Sequence, residues 1–323
     1  MTKSFHSPVA GELHGFLQFK RSLGYPYQRA EFTLYEFDRF LVEYAAQHRR
    51  WRLDRAALAW LSSKPKRKAV SVSVDAAVLR QFFAYLRRGS DAQAVTEPLW
   101  PRLPTGPSFV PYFLSEQDIL KLLGLCDGLS RPPFRATLYR ALLLVLYCTG
   151  LRFGEALRLR LREVDTRSGV LFVNTFKGRS RWVPFHRSLC RELDRYLAAR
   201  VKFAPSGPDT RLFVGVNRCT LPVKTAQWTL RGLFKRAGLK PAQGRLGPRP
   251  YDLRHAFAVH RLSRWYSQGV DLHARLPWLS AYMGHVDIVG TEAYLNATPE
   301  LLSLAGNRLR HRYWKTVSED GNS

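Results

Sequence analysis

The sequence predicts a mainly α-helical protein with a small β-sheet, an α+β chain made of two domains. Apolar residues recur at helical spacing through most of the 323 residues, and only the segment 169–185 changes to an alternating pattern. Five prolines among few helix formers make the segment 98–111 typical of an extended linker. We therefore expect a helical domain over residues 1–97, that linker, a larger domain over 112–300 and a tail over 301–323.

Four amphipathic helices account for the first domain. Their apolar residues recur at helical spacing within the segments 13–19, 32–44, 53–61 and 74–86. Between the third and fourth helices, Lys64, Lys66, Arg67 and Lys68 surround Pro65, which predicts a basic loop.

Three helices are predicted at the start of the second domain. Ser115 is a candidate N-cap for the first, and Asp118 three residues later makes an acidic variant of the capping box. A long apolar helix over 134–148 stops at Gly150, and a further helix follows over 153–160.

A β-hairpin is predicted after these helices. Apolar residues flank a central Lys177-Gly178 within the segment 169–185, which is the pattern of two short strands around a turn. From Leu189 onward the pattern is mainly helical again, interrupted by loops rich in glycine and proline.

The charge of the chain points to a polyanionic partner. Lys and Arg number 51 against 25 Asp and Glu, which gives a formal net charge of +26. Nucleic acid is the first expectation and an anionic membrane surface the second. No apolar run reaches the length of a spanning helix, and the first 20 residues hold no signal-peptide core. The four cysteines lack zinc-ligand spacing, so we expect reduced thiols in a cytoplasmic protein without a membrane partner.

The basic loop is the first candidate for DNA contact. A run such as Lys64, Lys66, Arg67 and Lys68 is often only a solvated loop. In a chain this basic we expect it to contact phosphates, which positions DNA without reading its sequence. Arg179 and Arg181, at the tip of the predicted hairpin, are candidates for the same role.

A metal-dependent mechanism is not expected. The acidic residues are scattered, and neither His-x-His nor Cys-x-x-Cys occurs. Phosphoryl transfer by this chain would therefore depend on cationic side chains and a protein nucleophile.

Four segments carry such groups. Arg152 follows a glycine at a helix start, Lys177 lies at a hairpin tip, Arg254 begins a later helix, and His285 precedes Tyr294 by nine positions. Each segment, taken alone, is better explained by a structural role, as a helix cap, a charged turn or a helix end. Their order and combination are what indicate a function.

The chain resembles the tyrosine recombinase (phage integrase) family, which shares its chemistry with type IB topoisomerases. The resemblance covers about residues 112–300, and the helical first domain is similar to the family's core-binding domain. It implies a C-shaped clamp of two domains around duplex DNA and a reaction that needs no metal or other cofactor. The matching motifs are Thr149-Gly150-Leu151-Arg152-x-Gly154-Glu155, Lys177-Gly178 with Val183-Pro184, Asp252-Leu253-Arg254-His255-x-Phe257, and Gly284-His285 with Tyr294.

The resemblance also implies a role for each site residue. Tyr294 would attack the scissile phosphate and form a 3′-phosphotyrosyl bond. Arg152 and Arg254 would hold the two non-bridging oxygens, and His285 would donate a hydrogen bond to the phosphate. Lys177 would protonate the departing 5′-oxygen.

One position departs from the family pattern. The family usually has His three residues before the second arginine, and Tyr251 stands there, so we expect altered proton handling rather than inactivity. His255 is not its substitute, because it lies about 100° around the helix from Arg254. Tyr282 and Tyr266 are the rival nucleophiles.

The sequence therefore predicts a site-specific recombinase or integrase carried by a mobile element. The resemblance implies a free monomer that forms a tetramer on synapsed DNA, in the cytoplasm at the nucleoid, with other recombinases of the same element as further partners. The tail carries an apolar stripe from Leu301 to Tyr313, which we expect to dock on a neighbouring protomer or on its own domain.

Three alternatives remain. A catalytically silent DNA-binding regulator could retain the same fold, and Tyr251 is the feature in its favour. A type IB topoisomerase would relax supercoils without a partner site. An RNA-binding protein is disfavoured, because the chain has no aromatic strand motif of the RNP kind.

Overall fold

The fold consists of two compact units, Met1–Phe109 and Val110–Ser323. In a computed structural model we describe residues 4–25, 27–63, 67–89, 98, 100, 112–129, 132–174, 180–243, 246–285 and 287–292. The division falls within the segment 98–111, most of which lies outside the described residues together with the tail, so the linker and tail conformations remain predictions.

The first unit contains the four predicted helices. Their apolar faces meet in one core built around Phe16, Phe37, Trp60 and Phe82, all of them buried. Trp100 packs edge-on against Phe83 at the side of this core. The helices are α1 Ala10–Ser22, α2 Gln28–Gln47, α3 Leu53–Ser62 and α4 Ala69–Leu86.

Helix α4 is the most apolar helix of this unit. Among the described residues it alone is long and apolar enough, by length and composition, to cross a membrane. Its residues Ala76, Leu79, Phe82 and Phe83 are buried in the core, and Asp75 on the same helix is buried and ion-paired. This packing is typical of a core helix in a globular domain.

The second unit combines further helices with a small antiparallel sheet of strand order β1-β2-β3. Helix α6 lies at its centre and packs against α5, α8 and α10. The elements are α5 Glu116–Asp127, α6 Phe134–Thr149, α7 Phe153–Arg158, a 3₁₀ turn Leu161–Glu163, β1 Val164–Asp165, β2 Val170–Val173, β3 Arg181–Pro184, α8 Arg187–Val201, α9 Val223–Arg236, α10 Asp252–Ser267, α11 Leu272–Met283 and α12 Val289–Glu292.

The helix boundaries follow the predicted caps with one difference. The Ser115 hydroxyl accepts from the Asp118 backbone N–H and the Asp118 carboxylate accepts from the Ser115 N–H, which completes the capping box. Helix α7 was predicted to continue to Arg160 but ends at Arg158. The chain becomes extended at Leu159, whose carbonyl accepts a hydrogen bond from the Leu212 N–H at 2.7 Å.

The predicted hairpin is present as β2 and β3. Leu171 pairs with Val183 on the buried face, and Phe172 pairs with Trp182 on the outer face with ring centroids 4.8 Å apart. The short strand β1 adds a third, unpredicted member by pairing with β2. Residues 175–179, which include the hairpin tip, lie outside the described residues.

Arg200 holds the segment that follows α8 onto the rest of the unit. Its side chain is fully buried and donates hydrogen bonds to the carbonyl oxygens of Pro205, Arg211 and Leu212 at 2.8–3.0 Å. The same segment pairs with the backbone after α7, where the Leu161 N–H donates to Thr210. Arg200 therefore helps to fix the chain at the end of α7.

Replacing Arg200 with Met should destabilise the protein by about 3 kcal/mol, because several buried carbonyl groups would lose their donors. Urea unfolding of the full chain measures this change. Arg195→Met on the same helix is the matched control, since its side chain is exposed and makes a surface ion pair with Glu192, and it should cost about 0.5 kcal/mol or less. Equal losses in the two variants would contradict the role given to Arg200.

Candidate active site

A glycine turn places Arg152 at the start of α7. Gly150 ends α6 with φ of 61°, in the left-handed region that favours glycine. A Cβ atom on Gly150 would lie 2.4 Å from the Phe257 ring, so the close approach also demands glycine. This turn brings the end of α6 against α10, the helix that carries Arg254.

Arg254 joins the ends of two other helices. It lies on the first turn of α10 with only 1% of its surface exposed. Its Nη1 donates to the Gly150 carbonyl at 2.6 Å, and its Nη2 donates to the Met283 carbonyl at 2.9 Å. One guanidinium therefore holds the C-terminal end of α6 beside the C-terminal end of α11.

Arg152 reaches the same end of α11. Its Nη2 donates to the Gly284 carbonyl at 2.8 Å, one residue beyond the carbonyl that Arg254 contacts. The next residue in the chain is His285. The two arginines therefore bind consecutive backbone carbonyls immediately before His285, while 39% of the Arg152 side chain stays exposed.

A buried carboxylate balances part of this charge. The Glu155 carboxylate accepts from Arg152 Nη1 at 3.0 Å, from the Arg152 backbone N–H at 2.9 Å and from Arg181 Nη2 at 3.0 Å. Burial raises the pKa of Glu155. The hydrogen bond and charge of Arg181 and the hydrogen bonds from Arg152 lower it by more, so the net pKa lies below the usual value. Glu155 is therefore ionised at neutral pH.

Arg181 lies in a structural environment, and the DNA contact predicted for it stays a prediction. Its side chain is 9% exposed, pairs with Glu155 and donates from Nε to the Tyr282 carbonyl at 2.8 Å. It also packs against Gly284, where a Cβ atom would lie 2.5 Å from Arg181 Nη1. These contacts occupy the guanidinium inside the unit and tie strand β3 to the end of α11.

His285 is a neutral imidazole within this cationic cluster. Its Nδ1 lies 2.6 Å from the Thr291 hydroxyl oxygen. Burial, followed by the positive charges of Arg254, Arg152 and Arg181, lowers the pKa of His285 to about 4. The ring is therefore uncharged near pH 7 and can offer one N–H as a donor.

Tyr251 and His255 form a pair at the start of α10. Their rings are nearly perpendicular with centroids 4.8 Å apart, and 42% of Tyr251 is exposed. The His255 Nε2 lies 3.9 Å from the Asp252 carboxylate, and burial lowers the pKa of His255 to about 4. Tyr251 is thus the accessible member of the pair.

Neither rival tyrosine is placed as a nucleophile. The Tyr282 hydroxyl donates to the Pro184 carbonyl at 2.8 Å, and burial raises the pKa of its phenol well above the usual value. Tyr266 lies twelve residues after Arg254 on α10, which separates the two by about 18 Å along the helix axis.

The two described residues of the basic loop, Arg67 and Lys68, lie in different environments. Arg67 forms an ion pair with the buried Asp75 and lies 5.9 Å from the centroid of the Trp60 ring, so its guanidinium packs against the first unit. The DNA contact predicted for Arg67 stays a prediction. Lys68 is exposed at the start of α4. The predicted residues outside the described part of the chain are Lys64, Lys66, Lys177, Arg179 and Tyr294.

The described part of the site gathers hydrogen-bond donors around the end of α11. The structure brings together Arg152, Arg254 and His285, whose guanidinium and imidazole groups are hydrogen-bond donors. Within the residues described, no group of three His, Cys, Asp or Glu side chains could hold a metal ion.

Sequence reasoning assigned no role to Glu155 and missed Thr291 and the contacts of Arg181. The spacing of Glu155 three residues after Arg152 is a capping-box signal that could have found its hydrogen bond to the Arg152 N–H. Arg181 and Thr291 act through tertiary contacts, for which the sequence carries no local signal.

The sequence is similar both to a family model and to individual relatives of the integrase and recombinase class. Residues 112–300 match the phage integrase family. The protein y4rB of Sinorhizobium fredii, named for the integrase/recombinase class, is 34% identical over 305 residues, covering 92% of this chain and 96% of the relative. Tyrosine recombinase XerC of Staphylococcus saprophyticus is 28% identical over 249 residues, covering 76% of each chain.

Two solved structures share the fold. The Tn1549 transposon integrase in complex with transposon right end DNA superposes with a TM-score of 0.63 at 17% identity, covering 93% of this chain and 99% of the other. The XerH recombinase bound to palindromic difH substrate gives a TM-score of 0.64 at 18% identity, covering 85% and 77%.

Glu155→Gln should destabilise the protein by about 3 kcal/mol at pH 7, because the guanidiniums of Arg152 and Arg181 would lose their buried counter-charge. The Glu155 pKa is lowered by folding, so its contribution is full above the unfolded value near 4.5 and is lost as the pH falls further. Urea unfolding of both proteins from pH 7 to pH 3 should show their difference shrinking below about pH 4.5. A difference that is constant over this range would contradict the ion pairing.

Proposed function

The chain belongs to the phage integrase family and is a tyrosine-type site-specific DNA recombinase, and we propose that it cuts and rejoins DNA through a 3′-phosphotyrosyl intermediate. The observation that carries this proposal is the convergence of Arg152 and Arg254 on consecutive carbonyls directly before His285. Three distant segments thereby supply donors to one small region, which suits a phosphate group.

Each site residue has one part in the proposed reaction. The Tyr294 oxygen forms a bond to the scissile phosphorus, and the bond from phosphorus to the 5′-oxygen breaks. Lys177 gives its proton to that departing oxygen, and rejoining reverses the step when a 5′-hydroxyl attacks the phosphotyrosyl bond. Arg152 and Arg254 offset the charge of the transition state, and His285 donates its N–H to a phosphate oxygen.

The charge of the site supports this division of roles. Tyrosine has a pKa near 10 when unperturbed, so nearby cations are needed to favour the attacking phenolate. With a pKa of about 4, His285 is neutral over the physiological range and can serve as a hydrogen-bond donor. Tyr251 stands where the family usually has His, and its phenol would donate a hydrogen bond.

The exposed face of α9 supports duplex DNA as the partner. Lys224, Trp228 and Arg231 recur at helical spacing on this face, and 78% of Trp228 is exposed. The helix Val223–Arg236 contains no acidic residue. A basic face around an exposed indole complements the phosphates and base edges of DNA. Lys64, Lys66, Lys68 and Arg179 are proposed as further phosphate contacts.

A catalytically silent DNA-binding regulator is the second candidate, and Tyr251 is the observation that favours it. The hydrogen-bonded cluster of Arg152, Arg254 and His285 argues for activity, because DNA binding alone would not need these three donors gathered in one place. A type IB topoisomerase is distinguished by relaxation of a plasmid that lacks a recombination site.

The setting of the reaction is also part of the proposal. A mobile element would carry the protein, which would act at the nucleoid in the cytoplasm as a tetramer on synapsed sites, with other recombinases of the same element. The tail would join the protomers of that tetramer.

Tyr294→Phe removes the attacking oxygen and keeps the ring, so DNA binding should survive while the covalent adduct disappears. A nicked suicide duplex carrying the native site, followed by a denaturing gel, measures the adduct. The matched control is Tyr282→Phe, which removes a hydroxyl already bound to the Pro184 carbonyl and should leave the adduct in place. An adduct that persists in Tyr294→Phe would show that another residue is the nucleophile.

The α9 face can be tested through salt dependence. Replacing Lys224 and Arg231 with Ala should flatten the slope of log affinity against log salt by about 2, since two phosphate contacts would be lost. Trp228→Ala should weaken binding to the native site more than to unrelated DNA. Lys202→Ala, after the end of α8, is the control for lost charge. An unchanged slope would place DNA away from α9.

A further inference from the structure

We propose that Thr291 is a positioning residue: its hydroxyl donates to Nδ1 of His285 and so keeps the proton of the imidazole on Nε2, where it can be donated to the scissile phosphate. The inference rests on the proposed function of the site and assigns a task to a residue outside the six proposed for the reaction. The contact that motivates it is the distance of 2.6 Å between the Thr291 hydroxyl oxygen and His285 Nδ1.

Both partners of this contact are held by their backbones. The Thr291 N–H donates to the Ile288 carbonyl at 2.7 Å, and the His285 N–H donates to the Ser280 carbonyl at 3.0 Å. Thr291 is fully buried, so bulk water does not compete for its hydroxyl. The hydroxyl is therefore committed to a local partner, and the imidazole nitrogen is within hydrogen-bond distance.

The surrounding charges make the choice of tautomer matter. Burial and then the charges of Arg254, Arg152 and Arg181 disfavour the protonated ring, Asp287 favours it, and the outcome is a neutral imidazole. A neutral imidazole carries one N–H, and the partner of one nitrogen decides whether the other is a donor or an acceptor.

Only one of the two arrangements suits an anionic ligand. If Nδ1 carried the proton and donated to Thr291, Nε2 would present a lone pair, which a phosphate oxygen repels. If the Thr291 hydroxyl donates to Nδ1, then Nε2 carries the proton and presents an N–H. The second arrangement is also compatible with threonine, because a hydroxyl can act as either donor or acceptor.

The first test measures the tautomer directly and needs no DNA. The protein is labelled with ¹⁵N-histidine, and the His285 signals are assigned as those missing from His285→Asn. We expect an unprotonated nitrogen shift for Nδ1 and a protonated shift for Nε2 at pH 7. The reverse assignment would overturn the proposal. Because this result does not depend on cleavage, it stands apart from the fate of the proposed function, which Tyr294→Phe tests.

The second test compares Thr291→Val with Thr291→Ser. Valine keeps the shape and loses the hydroxyl, so the rate of adduct formation at saturating DNA should fall about tenfold while the affinity for DNA is unchanged. Serine keeps the hydroxyl and should restore most of the rate. Thr229→Val, at a buried threonine on α9, is the control for a general cost of removing such a hydroxyl. A serine variant as slow as the valine variant would contradict the proposal.

A double-mutant cycle separates positioning from a general structural role. In a His285→Ala background, Thr291→Val should slow adduct formation no further, because the imidazole through which Thr291 acts is absent. A full additional loss in this background would mean that Thr291 acts independently of His285. If Thr291→Val fails to fold, the nitrogen shifts of the wild-type protein and the serine variant still decide the question.

Discussion

The buried guanidinium of Arg254 is the interaction on which the rest of the site depends. It holds the carbonyls of Gly150 and Met283 and so fixes the ends of α6 and α11 beside each other. Arg152 lies two residues after Gly150, and His285 lies two residues after Met283. An arginine can do this because its planar group offers several donors in a fixed geometry, which a lysine ammonium cannot reproduce.

The cationic cluster is stable because its charges are partly compensated inside the fold. Glu155 is buried between Arg152 and Arg181, and it keeps both guanidiniums oriented while they are close to Arg254. Burying several guanidiniums without such a carboxylate would carry a large desolvation cost. Burial, together with the same excess of positive charge, lowers the pKa of His285 and keeps the imidazole neutral.

Much of this arrangement could be predicted from the sequence, for identifiable reasons. The Ser115 cap and the Gly150 stop are local signals, and the alternating pattern of the hairpin identified β2 and β3. The end of α7 was wrong by two residues because Leu159 pairs with Leu212, a contact that no local pattern reveals. For Arg181 and Arg67 the sequence showed only the charge, whereas their buried partners, Glu155 and Asp75, became apparent only in the folded structure.

The arginines of the site bind backbone oxygens at residues 150, 282, 283 and 284. A carbonyl group is present whatever side chain the residue carries, so these bonds themselves do not depend on the side chains at residues 282 and 283. The restriction falls instead on Gly150 and Gly284, where a Cβ atom would meet Phe257 or Arg181. A library that varies this region should therefore lose variants at the two glycines through the backbone, whereas selection at 282 and 283 would act on the packing of the Tyr282 and Met283 side chains.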